Sequence, residues 1–429
     1  MTRFDPSGPL RGALRPPADK SISHRAALIA AMGEGTTSVR GYLDAADTRS
    51  TLAAVEALGA RVESADGLGT LLHVEGVGLR GAGPATIDVG NAGTLLRLLP
   101  GWLAGQAGEC WVLDGDDSIR ARPVDRIAAP LREMGARLAA REDRLPPLEV
   151  IGAELHGVTY ELPVASAQVK SCILFAGLLA DGETRIVEPE PTRDHSERML
   201  RAAGADVRRE GDAVTIRSAE RLEPGAIVVP ADISSAAFFI VAAALVAGSE
   251  VVLEGVGVNP TRTGILTILE RMGVEVEVEP RGAQRGGEPV ADLRVRPAAL
   301  RGTEVGGAEI PLAIDELPLV ALAACFAEGT TTIRDAEELR RKESDRVETV
   351  TAALSALGGR VEATPDGMAI EGTGGLRGGT ISSHGDHRIA MLGAVAGLAS
   401  SAGVEVEGMD AAAVSYPGFE ADLASLASG

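Results

Sequence analysis

The chain has 429 residues, of which 45% are apolar and 24% charged, which is too much material for one ordinary core and suits two. A formal net charge of −20 disfavours bulk attraction to nucleic acid or an anionic membrane, so an anionic ligand needs a cationic pocket built locally. Cys110, Cys172 and Cys325 are far apart and form no CxxC pair, which reads as buried thiols in a reducing compartment and not as a disulfide framework or zinc site.

Residues 1–10 lack the apolar run of a secretory signal. From there the chain repeats itself with a period of roughly 70 residues. Each repeat opens with an apolar helix, stops at small residues, enters a short strand, and continues into a second helix that ends in a Gly-Ala-x-Val-like step. The first opens at Ser23 and its second helix, TLAAVEALGARVE, ends at Glu63. The second opens at Thr94 and closes in LREMGARL; the third opens at Ser166 and closes in MLRAAGADV. The fourth opens at Ser234 and closes in ILERMGVEVEV; the fifth opens at Asp315 and closes in ALSALGGRVEA; the sixth opens at Asp386 and runs to the end. Apolar residues at 3- and 4-residue spacing predict the helices and glycines their stops. Short β-branched runs such as Thr331–Arg334 and Glu250–Glu254 predict the strands. The longest apolar stretch, Ala236–Ala247, falls short of the roughly 20 residues of a membrane span, so a soluble cytoplasmic protein is expected. Arg281–Pro289 reads as the most loop-like insertion. Three repeats before residue 225 and three after imply two similar α/β domains, each a threefold arrangement of helices faced by sheets.

The helix starts carry the chemistry. Free N–H groups and the helix dipole make them anion sites, and these are polar: Asp19 to Arg25, Gly90 to Thr94 with Arg97, Ser166 to Lys170, Asp232 and Ser234, Asp315-Glu316, and Gly385 to Arg388. Asp116 to Pro123 and Arg340 to Arg346 add cations between helices. A single helix-start Ser or Asp is most often an N-cap, and a Lys-Glu-x-Asp-Arg run most often a solvated helix face; repetition is what turns these into a site. The only lysines are Lys20, Lys170 and Lys342, and all lie in such segments. His24, His73, His156, His195, His384 and His387 show no metal spacing, and no Walker or GxGxxG motif indicates ATP or NAD. No metal and no cofactor is expected.

The segments KSISHR, GNAGT, ARPVD, SAQVKS, RDHSERML, RKESDR and GDHRIAM, in this order, make the chain resemble the 5-enolpyruvylshikimate-3-phosphate synthase family from end to end. The resemblance implies two domains of three βαβαββ units each, threefold pseudo-symmetric in the manner of an inside-out α/β barrel. One domain would comprise 1–19 and 226–429 and the other 20–225, with the active site in the cleft between them. It implies transfer of the enolpyruvyl group of phosphoenolpyruvate to the 5-hydroxyl of shikimate 3-phosphate through a tetrahedral intermediate, in aromatic amino-acid biosynthesis. Carried over by position, Lys20 would touch both substrates, Ser21 and Arg25 would hold shikimate 3-phosphate, and Ser166, Ala167 and Gln168 would line its pocket. Arg193 would reach its phosphate and Lys342 its ring. Gly93, Arg122, Arg346 and Arg388 would cradle phosphoenolpyruvate, Asp315 would accept the hydroxyl proton, and Glu343 would handle the methylene proton. Where one branch of the family has a lysine near the C-terminus, this chain reads Ala413-Val414-Ser415-Tyr416-Pro417. Gly93 lacks the methyl associated with tolerance of the inhibitor glyphosate, so inhibition is expected. The chain is expected to act as a monomer without nucleic-acid or membrane partners. UDP-N-acetylglucosamine enolpyruvyl transferase shares the architecture and the Ala-Arg-Pro-Val-Asp segment, and a non-catalytic binding protein could use the same fold; Lys20-Ser21, RDHSERML and RKESDR favour the first reading, and the presence of Asp315, Glu343 and Lys20 argues against a non-catalytic one.

Overall fold

A computed structural model describes residues 1–283 and 285–428. Its chain divides into two compact units: one holds 1–17, 231–282 and 289–429, the other 18–230 and 283–288. They are called here the outer-chain unit and the inner-chain unit.

The inner-chain unit is built on three central helices, Lys20–Met32, Gly93–Ala104 and Ala167–Gly177. Buried residues occupy nearly their whole circumference, as expected of helices too apolar to have a wet face. Close packing needs small residues. A Cβ at Gly101 would lie 2.0 Å from the carbonyl oxygen of Cys172, so only glycine lets the second and third central helices approach this closely. Around them stand three four-stranded sheets of one design. In each, the strand after the central helix pairs in parallel with a strand from the preceding repeat and antiparallel with its own hairpin. For the first repeat, Thr36–Arg40 pairs with Ala226–Val228 on one side and Leu71–Glu75 on the other. Strand 226–228 comes from the end of the unit, so the ring of repeats closes on itself.

The outer-chain unit repeats this plan on helices Ile233–Leu245, Leu317–Cys325 and His387–Ala399, with its own core. Its ring closes through the start of the chain. Arg11–Leu14 pairs in parallel with the strand Glu250–Gly257, and Thr2–Phe4 pairs antiparallel with Val404–Glu407. The sixth repeat therefore departs from the others: its sheet has three strands, and the second helix, Phe419–Ala427, ends without a hairpin of its own.

Two expectations are corrected. Cys110 is exposed, while Cys172 and Cys325 are buried; Cys110 starts the strand Cys110–Asp114, whose alternation turns Trp111 and Leu113 inward and leaves Cys110 outside. The 281–289 stretch is not all loop, because the strand Val276–Ala283 runs through its first residues and another starts at Pro289; Gln284 lies outside the described residues. The Arg340–Arg346 run, expected as part of the site, does not take the commoner form of a solvated helix face. A 3-10 turn ends at Arg341, a helix begins at Arg346 with Asp345 as its N-cap, and Arg346 is turned fully inward. No helix among the described residues is long and apolar enough to cross a membrane.

Candidate active site

Four of the six central helices start at a polar N-cap whose side chain accepts from the first turn: Asp19 from Ile22 N, Ser166 from Val169 N, Asp232 from Ser234 N and Asp386 from Arg388 N. The N-caps of the other two, Ala92 and Glu316, make no such bond.

In the inner-chain unit the predicted residues lie around the starts of its three central helices. Arg25, on the first, is buried and reaches the third central helix and the helix His195–Ala202. Its Nη2 donates to Ser171 Oγ at 2.9 Å, its Nε to Ser196 Oγ at 2.8 Å and its Nη1 to the Ser21 carbonyl at 2.9 Å. Burial pulls its pKa down to about 10; Asp19 and Glu197 oppose this and the positive charge of Arg193 adds to it. Two guanidiniums near enough to repel form a place that favours an anion. Lys20 Nζ is 3.0 Å from Asp47 Oδ2. Between Lys20 and Arg25 sits His24, whose pKa burial, helped by Lys20, drives down to about 3, so it is neutral and adds no charge. At the second helix, Gln168 from the third accepts from Arg97 Nη1 at 2.9 Å and donates to Thr94 Oγ1 at 3.2 Å. Arg122 lies over Gly93: its Nη2 donates to Asn91 Oδ1 at 3.2 Å and Ser118 Oγ at 3.3 Å, and a Cβ on Gly93 would stand 2.5 Å from its Nη1.

In the outer-chain unit the contacts centre on Arg346. Its Nε donates to Asp386 Oδ2 at 2.8 Å, its Nη2 to Glu343 Oε2 at 2.7 Å, and its Nη1 is 3.5 Å from Asp315 Oδ1. Lys342 Nζ is 3.3 Å from the same Asp315 oxygen, and Arg388 Nη1 donates to the Asp315 carbonyl at 2.9 Å. Arg388 also stands 3.6 Å from Glu316 Oε1, which accepts from Ser234 Oγ. Burial opposes the charge on Glu343 most strongly, yet Arg346, a backbone hydrogen bond and His387 together hold that carboxyl below its usual range. The same balance takes Asp386 down to about 2: burial resists, and the hydrogen bond and charge of Arg346 prevail. Glu343 is 41% exposed and so the more reachable of the two.

The predicted residues thus fall into two linked sets: Lys20, Ser21, Arg25, Gly93, Arg122, Ser166, Ala167, Gln168 and Arg193 in one unit, Asp315, Lys342, Glu343, Arg346 and Arg388 in the other. Asp47, Ser171 and Ser196 were missed as partners. The last two lie inside SAQVKS and RDHSERML, so the motif was visible and the side chain overlooked; Asp47 has no local mark. Ala413–Pro417 offers no cation and serves packing, with Tyr416 buried against Phe239 and Phe419. Among the described residues, no group of three or more His, Cys, Asp and Glu is arranged to hold a metal ion.

Two threefold units with cations and carboxylates at their central helix ends have the fold of the enolpyruvyl transferases; NikO of Streptomyces tendae, so titled, matches with a TM-score of 0.78 at 21% identity, over 99% of this chain and 96% of that one. The family model for EPSP synthase (3-phosphoshikimate 1-carboxyvinyltransferase) matches residues 4–423, and the chain belongs to that family of enzymes. It is 50% identical over 424 residues to the 3-phosphoshikimate 1-carboxyvinyltransferase of Gloeobacter violaceus, covering 98% of each chain. It is 49% identical to the protein of the same name from Geobacter sulfurreducens, again over 98% of each. An EPSP synthase structure from Acinetobacter baumannii matches with a TM-score of 0.90 at 43% identity, over 99% of this chain and 97% of that one.

Proposed function

We propose that the chain transfers the enolpyruvyl group of phosphoenolpyruvate to the 5-hydroxyl of shikimate 3-phosphate and releases inorganic phosphate. Phosphoenolpyruvate is unreactive at C2 until C3 gains a proton, so an acid must act while the hydroxyl loses its own. The observation that carries the reading is Arg346 holding Asp315, Glu343 and Asp386 at once: two carboxylates of different exposure stand beside one guanidinium that an anionic substrate can claim. Asp315 takes the hydroxyl proton as its oxygen attacks C2. Glu343 delivers a proton to C3 and removes one again as the C2–O bond to phosphate breaks. Arg346, Arg388, Arg122 and Lys20 offset the charge of phosphoenolpyruvate and of the tetrahedral adduct, and Gly93 leaves room beside Arg122. Ser21, Arg25, Ser166, Ala167, Gln168, Arg193 and Lys342 hold shikimate 3-phosphate. On this reading the two units are domains that both supply residues to one reaction, from which water must be excluded. The enzyme works in the cytoplasm as a monomer and is inhibited by glyphosate.

Phosphate release in the presence of phosphoenolpyruvate and each acceptor tests this. Turnover is expected with shikimate 3-phosphate and not with UDP-N-acetylglucosamine, and should fall severely in folded Lys20→Met. Turnover with the nucleotide sugar, or a near-normal rate in that variant, refutes the assignment.

A further inference from the structure

Lys170 is one of three lysines, sits within a segment of the site, and belongs to neither substrate set. Its side chain is 0% exposed. The ammonium is 2.9 Å from Glu188 Oε1, 2.7 Å from Glu197 Oε1 and 3.4 Å from the Thr192 carbonyl. The Thr192 carbonyl accepts from the ammonium and the two carboxylates pair with its charge, and these three partners are the beginning, middle and end of one segment, 188–197. That segment leads from the strand Glu183–Val187 through a loop into the first turn of the helix His195–Ala202; Arg193 lies in the loop, and Ser196 and Glu197 lie in the turn. Glu188 tightens it further: its Oε1 accepts from Thr192 N at 3.1 Å, and its Oε2 is 2.9 Å from Arg209 Nη1. Next to Lys170 in sequence is Ser171, which bonds Arg25, and Ser196 bonds Arg25 from the helix that the loop enters.

Buried ions are a poor source of bare stability, since apolar replacements of similar volume often do as well or better. What this arrangement supplies is shape. Without a fixed tie, a loop with Pro189 and Pro191 has no ladder of backbone bonds to set it.

We propose that Lys170 is a positioning residue: by binding Glu188, Thr192 and Glu197 together, it fixes the loop that aims Arg193 and Ser196 at the phosphate of shikimate 3-phosphate, without touching the substrate itself. This rests on the reading of Arg193 as a phosphate ligand given above. A residue that only held the fold together would lower stability and leave the substrate constants of the folded enzyme alone.

The test is the KM for each substrate in wild type, Lys170→Met, Lys170→Arg, Arg193→Ala and the double variant Lys170→Met with Arg193→Ala, with folding checked by circular dichroism. Lys170→Arg keeps the charge while its planar fork cannot reproduce the three-way tie, so it serves where the methionine variant does not fold. Glu197→Gln is the gentler second probe. Both lysine variants should raise the KM for shikimate 3-phosphate about tenfold or more while that for phosphoenolpyruvate stays within about twofold. Glu197→Gln should shift it in the same direction by less. In the Arg193→Ala background Lys170→Met should add less than about twofold, because both act on one interaction. A folded lysine variant with the wild-type KM for shikimate 3-phosphate, a parallel rise in both constants, or full additivity in the double variant overturns the inference. An unchanged KM in Arg193→Ala sinks the reading of Arg193 instead, and the role given to Lys170 with it.

Discussion

Arg346 and Asp386 meet twice inside the outer-chain unit, Nε to Oδ2 at 2.8 Å and Nη2 to Oδ1 at 3.2 Å, with side chains 1% and 0% exposed. Asp386 also caps the sixth central helix and accepts from Ser344 Oγ at 3.0 Å. One carboxylate therefore orients the guanidinium that faces Asp315 and Glu343, and anchors the helix that carries Arg388.

Replacing Asp386 by Asn leaves Arg346 buried without its main counter-ion, a class of change that costs about 3–5 kcal/mol. The folded carboxyl titrates at about 2, below the ordinary value of about 3.9. Its contribution is thus present above the ordinary value and lost as pH falls through the folded one. In denaturant melts, the stability gap between wild type and Asp386→Asn should be flat above about pH 5 and narrow between about pH 4 and pH 2. A gap that stays constant down to the lowest pH refutes the pairing.

Glu343 is charged in the free chain because Arg346, helped by a backbone hydrogen bond and His387, offsets its burial. A carboxylate cannot protonate C3. When the anionic groups of phosphoenolpyruvate draw on the same guanidinium, the pull on Glu343 weakens and its pKa rises, so binding should take up protons. Calorimetry in two buffers of different ionisation enthalpy measures this. Uptake is expected in wild type and should be missing in Glu343→Gln, whose kcat should fall by roughly 10²–10⁴. Equal uptake in both proteins removes Glu343 from the proton path.

The thiols give a check on the fold that is independent of activity. One of the three, Cys110, is exposed. Partial burial and the hydrogen bond to Glu149, 3.5 Å from its Sγ, raise its pKa, while burial drives Cys325 up to about 12 and Cys172 higher still. A thiol reagent at pH 8 should titrate one group in the native protein and three after denaturation. Labelling should speed up with pH and be faster in Glu149→Gln, since the thiolate is the reactive form. Three fast groups in the native state contradict the packing.

Much of this architecture was legible because the repeats are written in a local code. Small apolar residues at helical spacing, glycine stops and polar starts recur around Lys20, Gly93, Ser166, Ser234, Asp315 and Asp386. That the N-terminal segment closes one domain came from the family resemblance alone, and which strands pair was not legible, because strands such as Arg11–Leu14 and Glu250–Gly257 lie far apart in sequence and a short strand carries no mark of its partner. Asp47 was missed for a related reason: it is one of 61 acidic residues, and only packing of the second helix against the first puts it beside Lys20. Cysteine count spoke to compartment and not to strand parity, which is what left Cys110 outside. The Arg340–Arg346 run was singled out from its motif, but its local pairs gave no sign that Arg346 serves a carboxylate 40 residues away.

Gly93 tests the space beside Arg122 most directly. It opens the second central helix without a left-handed backbone, so alanine is tolerated by the chain itself. Its Cβ would nevertheless stand 2.5 Å from Arg122 Nη1, against the roughly 3.5–4.0 Å of ordinary contact, and the guanidinium must swing away from Asn91 and Ser118. Because the obstacle is the mobile end of a side chain, and alanine is favoured over glycine in a helix by about 1 kcal/mol, stability should not fall by more than about 1 kcal/mol. Ligands that lean on Arg122 should suffer: the KM for phosphoenolpyruvate should rise, and the inhibition constant for glyphosate should rise by about tenfold or more, a loss of about 1.4 kcal/mol. Steady-state inhibition of wild type and Gly93→Ala, with phosphoenolpyruvate varied, measures both. Equal inhibition constants for the two proteins mean that the space over Gly93 is not where the inhibitor lies.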